Sequence, residues 1–151
     1  MAVSRRLARE IALKTLYQIA IGGMEKGSAL EGAFEANRPQ TPDRESALGW
    51  DATKEYTRTL VDGVLEKGES YDATLARYSR EWDLDRMPTV DRILLHMALH
   101  EIQAEGDVPH GVAINEAVEL GKEYSTEESG KFINGILGAY VRKEGPEAGH
   151  G

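Results

Sequence analysis

The chain contains no cysteine in its 151 residues. Disulfides and thiolate metal sites are therefore ruled out. Its apolar runs are too short to cross a bilayer. Nor does the N-terminus read as a secretory leader, because Arg9, Glu10 and Lys14 interrupt the apolar residues there. A cytoplasmic location without membrane association is the expectation. Strand-type alternation is scarce. G-x-S-x-G, the P-loop and G-x-G-x-x-G are all missing, so nothing argues for an active site and no cofactor is implied. No internal repeat is evident. Positive charge is also short: 18 Lys and Arg stand against 26 Asp and Glu, for a net −8. A polyanion partner needs local positive charge, so the overall balance speaks against nucleic acid.

The distribution softens that objection. Residues 3–14 carry four cations and one anion, while acids are spread over the middle of the chain. A basic patch on an acidic body suits short RNA locally, and a basic protein elsewhere. Apolar residues make up 40% and charged residues 29%, the balance of an ordinary globular protein. The length fits one domain, here taken as residues 1–144 with a disordered tail over 145–151.

Helical spacing dominates, so the predicted class is all-α with about seven helices. The first starts at the N-cap Ser4 and ends near Ile21, where Gly22-Gly23 stops it. Its core row is Ala8, Ala12, Leu16, Ile19 and Ala20. The second begins at Ser28, with Glu31 as capping-box partner, and ends near Asn37. A loop over 38–46 follows, punctuated by Pro39 and Pro42. The third covers 51–67 and ends at Gly68, with Tyr56, Leu60, Val61 and Val64 buried. The fourth starts near Ser70 and carries Leu75 and Tyr78. Residues 82–86 form a turn. Pro88 opens the fifth, which runs to about Glu105 and is apolar almost all round through Ile93-Leu-Leu-His-Met-Ala-Leu99. The sixth spans 112–124. The seventh is capped by Ser125 with Glu128 as box partner, and buries Ile133, Ile136, Leu137, Tyr140 and Val141. Gly135 and Gly138 lie in this helix and would permit close packing.

Two helix starts carry the candidate chemistry. Arg5, Arg6 and Arg9 sit at the positive end of the first helix dipole, where each cation is disfavoured by about 0.3–1 kcal/mol. A phosphate would reverse that sign, since arginines and free backbone N–H groups would both attract it. The plainer reading is a solvated helix end with surface ion pairs. Lys131 and Phe132 pair a cation with a ring, which suits stacking on an unpaired base; rim packing is the competing reading. His96 and His100 stand at i, i+4, a spacing that can hold zinc if His110 or a carboxylate adds a third ligand. On so apolar a helix, two hydrogen-bonded structural histidines are favoured.

Three blocks carry a family resemblance. They are Arg5-Arg-Leu-Ala-Arg-Glu-Ile-Ala-Leu-Lys-Thr-Leu-Tyr17; Val90-Asp-Arg-Ile-Leu-Leu-His-Met-Ala-Leu-His-Glu-Ile102 with Asp107-Val-Pro109; and Ala113-Ile-Asn-Glu-Ala-Val-Glu-Leu120 with Lys131-Phe-Ile-Asn-Gly-Ile-Leu137. Together they resemble the NusB family of bacterial transcription antitermination factors. The resemblance implies two small helical bundles. It also implies binding of single-stranded boxA RNA, together with the ribosomal small-subunit protein NusE, within the RNA polymerase antitermination complex on ribosomal RNA operons. On this chain the family's RNA contacts fall on Arg5, Arg6, Arg9, Tyr78, Glu128, Lys131 and Phe132, and its partner contacts on Tyr17 and Asp91. Leu7, His96 and His100 depart from the family pattern and thin its positive charge. An apolar face on the first helix leaves a homodimer open. The alternatives are a stand-alone relative of the RNA-binding domain of ribosomal RNA cytosine methyltransferases, a protein-only interaction module, or a metal-dependent enzyme using the histidines.

Overall fold

The computed structural model describes residues 4–40, 44–79 and 86–144. Among them are six α-helices: α1 Arg5–Ala20, α2 Lys26–Ala36, α3 Arg44–Ala76, α4 Thr89–Ala104, α5 His110–Tyr124 and α6 Glu127–Glu144. They fall into two compact units, Met1–Asp62 and Gly63–Gly151. Residues 82–85 of the turn expected over 82–86, and the tail over 145–151, lie outside the described residues.

The first unit packs α1 on α2 and on the first part of α3. Ser4 caps α1 as expected, its side chain accepting from the Leu7 N–H at 3.3 Å. The Ser4 N–H in turn donates to Thr53 Oγ1 at 3.1 Å. Ala8, Ile11, Ala12 and Leu16 are buried with Ala29, Leu30, Leu60 and Val61. Ile19 is only half-buried and Ala20 is exposed, because the buried face turns through Ile11, Leu13 and Thr15. Gly23 reverses the chain at φ +67°, a conformation that L side chains resist. The α2 start differs from expectation. Glu25 occupies the N-cap without a side-chain bond, and Ser28 sits inside the first turn. Lys26 at the true start pairs with Asp62 at 2.9 Å.

The second correction is larger. The expected third and fourth helices are one helix of 33 residues, and it begins at Arg44 inside the expected loop. A helix continues through a glycine when the gain from burying its flanks outweighs the local cost, about 1 kcal/mol relative to alanine. Leu60, Val64, Tyr71 and Leu75 supply that gain. They hold one buried row on both sides of Gly68.

In the second unit α4, α5 and α6 pack against one another. Residues Ile93 to Ile102 of α4 are all buried, as its all-round apolar character requires. Close approaches are made at Gly63, where a Cβ would strike the His100 ring, and at Gly121, where it would lie 2.8 Å from Ile133 Cδ1. Gly135 has open space around it, so it is not the packing glycine expected. Ile133, Ile136, Leu137 and Tyr140 are buried on α6, with Val141 at the margin.

Candidate nucleic-acid interface

The α1 start places its three arginines differently. Arg5 lays its guanidinium over the Tyr56 ring, 5.1 Å from the centroid. Arg6 reaches Glu10 at 3.5 Å and keeps 44% of its side chain accessible. Arg9 is only 4% exposed. The cation–π contact and the i, i+4 ion pair offset the unfavourable dipole at this helix end. Arg6 is thus the arginine of the three presented most openly to an anion. Tyr17, farther along α1, is 38% exposed. Close to it in sequence, Lys14, Gln18 and Met24 line a groove of ≈ 490 Å³ against Ala29, Ala33 and Asn37 of α2 and its C-cap.

The α6 start is anchored from below. Its cap is Thr126, not Ser125: the Ser129 N–H donates to Thr126 Oγ1 at 3.0 Å. Ser125 ends α5 instead, its N–H bonded to the Gly121 carbonyl. Glu128, expected as the box partner, is exposed. The Ser129 hydroxyl donates to Asp91 Oδ2 at 2.7 Å and lies 2.9 Å from Ser125 Oγ. Asp91 is 2% exposed, so the acid expected to meet a protein partner is turned inward and holds the first turn of α6. This turn presents Lys131, exposed, and Phe132, half-buried. Gly130 lets the Lys122 stem pass close by; a Cβ there would lie 2.8 Å from Lys122 Cγ.

Tyr78 lies just beyond α3 and meets the far end of α6. Its hydroxyl donates to Glu144, and its ring stands edge-on to Tyr140 with centroids 6.1 Å apart. Arg77 grips the same Glu144 carboxylate through Nε at 2.9 Å and Nη2 at 2.5 Å. The Arg77 and Tyr78 hydrogen bonds hold the Glu144 carboxyl below its ordinary range. Sequence reasoning missed Arg77 and Glu144. Arg77's place beside Tyr78 was the available signal; nothing local marks Glu144.

Both histidines are engaged in the helix packing. His96 Nε2 donates to Asp72 Oδ1 at 2.7 Å, because the carboxylate can only accept. Arg92 binds the other Asp72 oxygen at 2.5 Å. Burial pushes the Asp72 carboxyl up, but the bonds from Arg92 and His96 outweigh it and hold the group low. Burial lowers the His96 imidazole despite its bond to Asp72. His100 Nδ1 lies 3.0 Å from the Tyr71 hydroxyl, which burial pushes up to about 12 and so keeps protonated. Among the described residues no group of three or more His, Asp or Glu could hold a metal ion. These are the hydrogen-bonded structural histidines that the apolar helix suggested.

Among the described residues the protein is all-α, and it offers cations and a half-buried ring from helix starts. The comparisons with known proteins specify the family. The chain matches the NusB family over residues 6–142. It is 44% identical to the transcription antitermination protein NusB of Pelotomaculum thermopropionicum, covering 96% of this chain and 92% of that protein. Against the same protein of Symbiobacterium thermophilum the identity is 42%, covering 93% and 90%. Among solved structures, T. maritima NusB superposes with a TM-score of 0.79 at 33% identity, covering 98% and 97%. A structure described as antitermination factors NusB and NusE in complex with dsRNA gives 0.75 at 27% identity, covering 91% and 96%. The chain belongs to the NusB family.

Proposed function

We propose that this protein is a non-catalytic transcription antitermination factor. It binds boxA RNA together with NusE and promotes processive transcription of ribosomal RNA operons, working in the cytoplasm. The observation that carries the reading is the anchored α6 start. Buried Asp91 and Ser129 fix the turn from which Lys131 and Phe132 emerge. Rigid presentation lowers the ordering cost of binding. Phe132 stacks on an unpaired base while Lys131, Arg5 and Arg6 meet phosphates. Arg9 supports the α1 start from within the first unit. Glu128 accepts hydrogen bonds from a base edge or sugar, and Tyr78 extends the contact along α6. Tyr17 and the α1–α2 groove beside it face the protein partner. Asp91 serves the partner indirectly, by holding the α6 start. Residues 1–144 act as one RNA-binding domain.

The family membership and the relative solved with NusE and RNA support this reading. A titration tests it, using single-stranded boxA RNA, a scrambled strand and a duplex, each with and without NusE. Preference for the boxA strand that Phe132→Ala removes is the expected result. Equal binding of all three RNAs by wild type and variant would reject the reading.

A further inference from the structure

Three donors converge on one anion at the far end of α6. Arg77 Nε and Nη2 bind the two oxygens of the Glu144 carboxylate, and the Tyr78 hydroxyl binds Oε2. This fork, with a hydroxyl added, is equally suited to the two non-bridging oxygens of a phosphodiester. The place is open to solvent, with 54% of the Arg77 side chain and 35% of the Glu144 side chain accessible. An exposed ion pair of this kind is weak and exchanges readily for another anion. It also shares a helix with the stacking ring. Phe132 and Glu144, the anion held by Arg77 and Tyr78, are twelve positions apart on α6, or about 18 Å at the α-helical rise. A strand lying on Phe132 meets Arg77 only if it runs that length of α6.

We infer that Arg77 and Tyr78 form a second phosphate cradle for the bound RNA strand, and that Glu144 fills it when RNA is absent. The last residue of α6 is then an internal competitor of RNA. Binding swaps a carboxylate for a phosphate at the same three donors, and Glu144 is released to solvent. The inference rests on the proposed RNA-binding reading and adds to it a residue and a built-in brake.

The test uses the full chain in the presence of NusE and a labelled single-stranded boxA RNA at several salt concentrations. Glu144→Gln keeps the size and removes the charge; it should tighten binding about two- to five-fold, the scale of an exposed ion pair. Arg77→Gln should weaken binding and reduce the log–log salt slope by about 0.7, one single-strand phosphate. In the Arg77→Gln background, Glu144→Gln should have no effect. Two results overturn the cradle: unchanged affinity for Glu144→Gln, or a gain that survives without Arg77, which marks general relief of negative charge. Phe132→Ala separates the two levels. If it weakens binding while Glu144→Gln does nothing, the cradle fails and the RNA-binding reading stands. If wild type shows no RNA binding, both fall. Circular dichroism checks that each variant stays folded.

Discussion

The two units hold their buried polar groups with a different balance of bonds. In the first, the shortest bonds of the buried hydroxyls stay within their own helices: Thr15 donates to the Ile11 carbonyl and Thr57 to the Thr53 carbonyl, both at 2.8 Å. The links between elements are longer, Ser4 N–H to Thr53 Oγ1 at 3.1 Å and Thr57 Oγ1 to the Ala8 carbonyl at 3.5 Å. Its rings are covered by cations, with Arg58 over Phe34 and Lys54 over Trp50. In the second unit the polar contacts run between helices. Asp72 of α3 meets Arg92 and His96 of α4, Tyr71 meets His100, and Asp91 of α4 meets Ser129 of α6. Local bonds inside one helix tolerate sliding against neighbours. Bonds between helices fix register, and a buried group left unmatched is costly. The second unit is accordingly the part built to hold a surface in a set geometry, and it carries Lys131 and Phe132.

Substitutions in order of effect sharpen the contrast. Leu95→Ala, in a fully buried site of α4, should cost about 2–5 kcal/mol in chemical denaturation. Asp91→Ala should cost about 1–3 kcal/mol, because the Ser129 hydroxyl loses its buried acceptor. It should also weaken RNA binding. A stability loss with intact RNA affinity would show that the α6 start does not depend on this anchor. Thr57→Val, its counterpart in the first unit, should cost only about 0.5–1.5 kcal/mol and leave RNA affinity alone.

The pH dependence follows from the second unit too. Burial lowers both imidazoles from their ordinary 6.5, with Asp72 opposing at His96 and Glu105 the first group opposing at His100. Lys67 adds to the lowering at His100, whereas Glu101 and Glu66 resist it. A histidine with a lowered folded pKa binds its proton less readily than the unfolded chain does. The stability it contributes is therefore complete above about 6.5 and is lost as pH falls below it. Denaturation midpoints should drop between pH 6.5 and 5, and His96→Gln should flatten part of that drop. The smallest expected change is the stability of Arg6→Glu, within about 0.5 kcal/mol, as for an exposed position.

Much of the fold is legible in the sequence where periodicity and capping agree. The Ser4 cap, the all-buried α4 and the α6 stripe follow from side-chain pattern alone. The long α3 was not legible, because Gly68 followed by Ser70 looks like a stop and a start. Only the tertiary burial of Tyr71 and Leu75 overrides that punctuation. The Ser28 and Ser125 caps failed for a related reason. Several capping residues stood near each end, and packing selected among them. Of the candidate site, the placement of Lys131 and Phe132 near a helix start could be read from the sequence. The inward turn of Arg9 and Asp91 could not, since burial turns on neighbours distant in sequence. That burial also changes which variant is informative. Arg9→Glu would place an unmatched anion where exposure is 4%, confounding affinity with folding, whereas Arg6→Glu acts at the surface.

The central claim is that RNA is read by a ring presented from a fixed helix start, with cations beside it. Affinity of Phe132→Ala for single-stranded boxA RNA, measured at one salt concentration on a variant with unchanged helix content, tests this most directly. The account predicts a loss of about 5- to 150-fold, the worth of one stacked base. Affinity equal to that of the wild type would contradict it.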